Sequence, residues 1–290
     1  GFRRDDAMGR GLGGLHLPDM TRNQFLRTLL GGLAGAALAP RVASAAATGP
    51  YDFWFTRLMY DSGDWDTDQR MPSNVIDALV QYTTLRVDPK EHVLPLADPR
   101  MLTAPFCYLS GHKLVEFNPE ERRNFERYVR NGGFVFVDDC NHDIDGLFAR
   151  SFEAEMAGIF GADSLRKLPD SHPLYRSYFR FDGPPATTFE LNGWGDDLVH
   201  AYVKAILIDG RVGVLYSNKD YGCEWDYDWR NKRFQREDNT TFGVSLAVAG
   251  WVVPRFGWRA CFFLLGALGL AAVALVWRMA DPPRRSPGGG

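Results

Sequence analysis

The residues best suited to chemistry gather where one apolar run stops. Phe134-Val135-Phe136-Val137 is followed by Asp138, Asp139 and Cys140, then by Asn141, His142 and Asp143. A thiol in such a place becomes a nucleophile when an imidazole and a carboxylate line up behind it. Carboxylates that converge there instead suit a cation or the hydroxyls of a sugar. Asp61, Asp64, His112, Asn218 and Asp220 stand at the ends of other predicted strands, so they are candidates for one ligand site together with Asp138, Asp139 and Cys140. Trp225, with Tyr221, Tyr227, Trp229, Asp226 and Asp228, adds an aromatic, acidic lip of a kind that stacks on sugars. For any one of the acids, capping a helix or closing a turn is the plainer role, and the rings could equally close the sheet.

The elements that must position these groups follow from pattern. A strand with no polar alternation, such as Phe134 to Val137, is buried on both faces, which implies a parallel sheet covered by helices. Phe53 to Met59 and Pro105 to Leu109 read the same way, and Val93 to Leu96 reads as a short edge strand because Pro95 lacks a ladder donor. Helices are predicted after Pro72-Ser73, after Asn118-Pro119-Glu120-Glu121 with its cap and acidic first turn, and from Asp143 to Met156. Pro184 to Asp197 reads as a long loop. Val203 to Ile208 and Arg211 to Tyr216 flank Asp209-Gly210, a hairpin signal. The order of elements predicts an α/β fold, a doubly wound, mostly parallel flavodoxin-like sheet with an antiparallel addition and a C-terminal hydrophobic helix. In such sheets ligands collect outside the carboxyl ends of the strands.

Composition bounds the function. The chain has 290 residues, 45% of them hydrophobic, enough for one sizeable core. A net charge of -3 with no basic run argues against nucleic acid as a partner. Cys107, Cys140, Cys223 and Cys261 show no CxxC or Cys/His spacing, so no metal site or cofactor is signalled and at most a single disulfide is open.

Both ends differ from the middle. Residues 1–49 are read as a leader: from Met20, a basic head, an apolar run from Thr28 to Pro40 and an Ala43-Ser44-Ala45 exit make the three parts of a secretory signal peptide. It resembles a twin-arginine leader, with Asn23 where a second Arg is expected. The expected location is therefore exported, periplasmic or otherwise extracytoplasmic. The globular domain is read as 50–242. The remainder, 243–290, is a hydrophobic tail whose uncharged run from Ala260 to Trp277 is long enough to span a bilayer, with Arg278, Arg284 and Arg285 after it. Membrane association is expected through 260–277. Arg255-Phe-Gly-Trp-Arg-Ala260 through Pro283 also resembles the linker and sixth transmembrane helix of a major-facilitator transporter, so a join of unrelated coding sequence is the other reading of the tail.

Five motifs carry a further resemblance: Tyr60-Asp-Ser-Gly-Asp-Trp65, Tyr108-Leu-Ser-Gly-His112, Gly132-Gly-Phe-Val-Phe-Val-Asp-Asp139, His172-Pro-Leu-Tyr175 and Tyr216-Ser-Asn-Lys-Asp220. In order and spacing they resemble the bacterial domain-of-unknown-function family numbered 4159, over about residues 51–242. That resemblance implies a fold like the class I glutamine amidotransferases and implies no established activity. An amidotransferase thiol sits in a Gly-x-Cys-x-Gly elbow, whereas Asp139 and Asn141 flank Cys140, and His172 is followed by Pro173 and Leu174 where a His-x-Glu pair would be needed. Adjacent carboxylates would also raise the thiol pKa. The expectation is a non-catalytic module that binds a small molecule or a protein partner; the alternative is a hydrolase of sugar or amide bonds using the acidic crevice, with or without a metal.

Overall fold

The computed structural model describes residues 50–193, 198–226 and 236–252. Seven strands, β1 (Thr56–Met59), β2 (His92–Pro95), β3 (Cys107–Gly111), β4 (Val135–Asp139), β5 (Arg166–Lys167), β6 (Lys204–Ile208) and β7 (Arg211–Ser217), form one sheet in the order β2-β1-β3-β4-β7-β6-β5. The first five in that order are parallel, and β6 and β5 are antiparallel additions at one side. The fold is a mixed α/β one, with β4 in the middle and buried along its whole length.

Alternation along β4 sends its side chains into two cores. Phe136 joins Phe55, Phe106, Tyr108, Tyr221 and Trp225 on one face, where α1 (Met71–Tyr82) and a helix over 237–252 cover the sheet. Val135 and Val137 join Leu58, Leu109 and Val214 on the other, under α2 (Pro119–Arg130) and α3 (Leu147–Phe160). An all-apolar strand is what such double covering requires.

The start of α2 is fixed by a capping box. Asn118 Oδ1 accepts from the Glu120 and Glu121 N–H groups, and Glu121 Oε2 accepts from the Asn118 N–H at 2.9 Å. At its far end Gly132 has φ of 113°, and a Cβ on Gly133 would fall 2.4 Å from the Tyr128 ring, so the Gly132-Gly133 pair is what lets the chain turn directly into β4. The Asp209-Gly210 hairpin forms as expected, both residues with positive φ.

Several boundaries differ from the sequence reading. β1 begins at Thr56, because Phe53 makes only an isolated bridge to Val87. The helix after β4 begins at Leu147 instead of Asp143, since Asp143 Oδ1 and its carbonyl accept from the Asp145 and Gly146 N–H groups and hold residues 143–146 in a turn. The loop after Pro184 contains a short helix, α4 (Thr188–Leu191), begun by a Thr187/Glu190 capping box; α5 (Tyr221–Asp226) follows β7. The packed domain also runs past the expected end at residue 242. Val244, Leu246, Ala247, Val248 and Ala249 on the helix over 237–252 are buried in the first core, so the apolar character that begins at Gly243 belongs there to the core. No helix among the described residues is long and apolar enough to cross a membrane. The leader over 1–49, Tyr227, Trp229 and the run 260–277 lie outside the described residues.

If the helix over 237–252 is integral to the core, Leu246→Ala should lower the unfolding free energy by about 2–5 kcal/mol in urea denaturation. An unchanged midpoint would mean that the helix is an appendage.

Candidate functional site

Parallel strands bring their carboxyl ends to one edge. Gly111 of β3 pairs with Asp139 of β4, and Asp138 of β4 with Ser217 of β7, so the segments that follow these strands lie side by side. Two sets of groups result, because Asp138 and Asp139 point to opposite faces.

On the first face Asp138 is fully buried. Its Oδ1 accepts from the Tyr221 N–H at 3.2 Å, and its Oδ2 from the Gly222 N–H and, at 3.4 Å, the Tyr108 hydroxyl. Cys140, next on the same face, has its sulfur 3.6 Å from Asp68 Oδ2, 3.7 Å from Thr67 Oγ1 and 3.8 Å from the Asp138 carbonyl. Asp220, just beyond β7, accepts from the Cys223 N–H at 3.2 Å and lies 3.4 Å from His142 Nε2. The Cys223 thiol donates to Asp68 Oδ1 at 3.5 Å. Asp68, Asp138, Cys140, Asp220 and Cys223 thus line one acidic cup drawn from three separate stretches of chain.

The electrostatics of the cup are those of buried charge facing like charge. Burial, then Asp220 and Asp68, push Asp138 well above the usual carboxylate range, and burial with Asp68 also raises Asp220. Burial, then Asp220, Asp138 and Asp68, push the Cys140 thiol up as well. Cys223, though exposed as a residue, is raised by desolvation of its sulfur and then by Asp220 and Asp68. The two buried cations alongside are engaged elsewhere. Arg57 donates to the Thr67 and Asp68 carbonyls and pairs with Glu91, and Lys219 pairs with Glu190 of α4. Asp68, His142 and Asp220 all have positive φ, at 48°, 48° and 56°, three of five such non-glycine residues in the described chain.

The remaining candidates stand apart. Asp139 faces the second core, accepts from the Tyr216 hydroxyl and the Asn141 N–H, each at 3.0 Å, and is pushed up to about 6 by burial. Asp64 pairs with His112: it accepts from the His112 and Lys113 N–H groups, and its Oδ2 is 3.0 Å from His112 Nδ1. Burial works to raise Asp64, but those bonds outweigh it and hold the carboxyl below its ordinary value. Asp61 ties the first loop to α2 through Asn118 and Glu121. Asn218 anchors the 198–200 segment, accepting from His200 and donating to the Leu198 carbonyl. Trp225 forms no open lip. It is buried, its indole donates to the Asn239 carbonyl at 2.8 Å, and the last helix lies so close that a Cβ on Gly243 would be 3.0 Å from the ring.

The sequence does not single out Asp68, in the loop Asp61-Ser-Gly-Asp64-Trp-Asp66-Thr-Asp68, and gives Cys223 and His142 no role in a site. The one signal available was their distance of a few residues from Asp64, Asp220 and Cys140.

A family model described as Domain of unknown function (DUF4159) matches residues 54–249. No curated protein matches the chain.

The tightness of the cup is testable at Gly222, where an added Cβ would lie 2.4 Å from Asp68 Oδ2 and 2.6 Å from the Tyr108 hydroxyl oxygen. Gly222→Ala should cost about 1–3 kcal/mol in chemical denaturation. Asp64 sets an acid dependence. Its folded pKa is lowered, so its contribution is present above the unfolded value of about 3.9 and is lost as pH falls through the lower folded value. Asp64→Asn should therefore lose stability relative to the native chain at pH 6 and converge with it towards pH 2, as read by urea midpoints across that range.

Proposed function

The chain belongs to the family described as Domain of unknown function (DUF4159), and from that premise we propose that it is a ligand-binding or protein-interaction domain that uses the acidic cup without thiol catalysis. The parallel order β2-β1-β3-β4-β7 supports a flavodoxin-like winding of the amidotransferase kind, in which ligands settle beyond the carboxyl ends of the strands.

One observation carries the reading: the partners of the Cys140 sulfur are a hydroxyl, a carboxylate and a carbonyl. A sulfur nucleophile needs a base to take its proton and a positive neighbour to keep it a thiolate. The imidazoles of the region serve other ends. His112 is bound to Asp64, His142 stacks on Phe189 with ring centroids 3.8 Å apart and faces Asp220 at 3.4 Å, not the thiol, and His172 accepts from the Leu174 N–H as a helix cap. Left-handed backbone at Asp68, His142 and Asp220 supports a binding role, since such conformations persist where the surroundings impose them and gather at ligand sites. The leader pattern supports a place outside the cytoplasm, and the run 260–277 supports membrane association.

A hydrolase of sugar or amide bonds is the second reading. What favours it is that burial and mutual repulsion favour protonated Asp138 and Asp220, as a general acid requires.

A diazoketone analogue of glutamine, which alkylates an activated amidotransferase thiol, should leave the intact mass of the native chain unchanged, and glutamine should release no ammonia above buffer. A stoichiometric adduct mapped to Cys140 would overturn the reading. Turnover of a chromogenic glycoside or an anilide that disappears in Asp220→Asn would replace it with the hydrolase.

A further inference from the structure

Resting on the reading of this edge as a ligand site, we propose that the cup binds one thiophilic divalent cation of the zinc class through Asp68, Asp220 and Cys223, with the buried Asp138 and Cys140 behind them. Two groups of possible ligands overlap at Asp220. The ligand atoms of Asp138, Cys140 and Asp220 lie within 4.8 Å of one another, and so do those of Asp68, Asp220 and Cys223. Asp68 stands between the two thiols, its Oδ2 3.6 Å from the Cys140 sulfur and its Oδ1 3.5 Å from the Cys223 sulfur. Sulfur and oxygen ligands at zinc distances of about 2.3 and 2.0 Å are separated by about 3.5 Å along the edge of a tetrahedron. The Cys223 sulfur and Asp68 Oδ1 already have that spacing.

Charge is the second, independent observation. Three carboxylates and two thiols meet in the cup, while Arg57 and Lys219, the buried cations beside it, are bound to Glu91, Glu190 and backbone carbonyls. A divalent ion supplies positive charge among these acids, and coordination deprotonates a thiol that binds it. Each thiol that binds gives up its proton to solvent as the metal–sulfur bond forms. The donor types select the class of ion. Thiolates with carboxylates suit zinc and its borderline-soft neighbours, whereas magnesium and calcium take oxygen shells. Cys223 is exposed, which gives the ion a way in.

The test uses the full chain, stripped with EDTA and titrated with Co2+ and then Zn2+. The expected result is about one equivalent bound, a thiolate-to-cobalt charge-transfer band in the near ultraviolet, proton release on binding and displacement of the band by Zn2+ but not Mg2+. Cys223→Ser alters an exposed side chain, and Asp220→Asn keeps an acceptor for the Cys223 N–H at a backbone conformation asparagine tolerates. Each should weaken the cobalt complex by about 100-fold or more. Full cobalt affinity in both variants, or no charge-transfer band in the unaltered chain at excess Co2+, would overturn the proposal. The two readings fail separately: a chain without the band still stands or falls as a thiol-inactive binder on the diazoketone result, and a diazoketone adduct leaves the cobalt band to report the ion.

Discussion

A carboxylate with no access to water, Asp138 at the end of β4, constrains the whole edge of the sheet. Leaving such a group unpaired costs on the order of several kcal/mol, so N–H donors must be brought to it. They come from Tyr221 and Gly222, which fixes how the chain leaves β7. That exit in turn places Asp220 beside Asp138 and Cys223 beside Asp220, and brings Trp225 under the last helix. Gly222 is the point at which this arrangement admits no side chain, with Asp68, Tyr108 and Asp138 all crowding the place a Cβ would take.

The period of the strand divides what the primary structure puts together. Asp138 and Asp139 are neighbours in the chain and belong to different environments, one facing Asp68, Asp220 and the thiols, the other Tyr216 and the second core. Asp64 and His112 form a pair of their own near the surface, satisfied by backbone N–H groups of the turn after β3. Of the eight strand-end candidates expected at one ligand site, the cup keeps Asp138, Cys140 and Asp220, and it adds Asp68 and Cys223.

That cup is a poor way to stabilise a fold. Carboxylates facing one another in low dielectric favour protonation or a counter-charge, and three of the residues involved also hold left-handed backbone. Local strain and facing charges of this sort are what a binding site retains at the expense of stability. The surrounding elements absorb it: two hydrophobic cores cover the sheet, and the capping box of α2 also fastens the first loop through Glu121.

Much of the architecture was legible in the residues alone. The unbroken apolar run of β4, the Asn118-Pro119 start of α2, the Asp209-Gly210 turn and Pro95 in an edge strand each express a local preference strong enough to survive folding. The five motifs sufficed to suggest the family. Which polar residues would face one another was decided by the tertiary structure, since Asp68, Cys140 and Cys223 are separated by more than seventy residues at each step and only the parallel register aligns them. The burial of Trp225 and the core role of residues 244–249 were likewise decided there, because an apolar stretch states that it must be covered and leaves open by what.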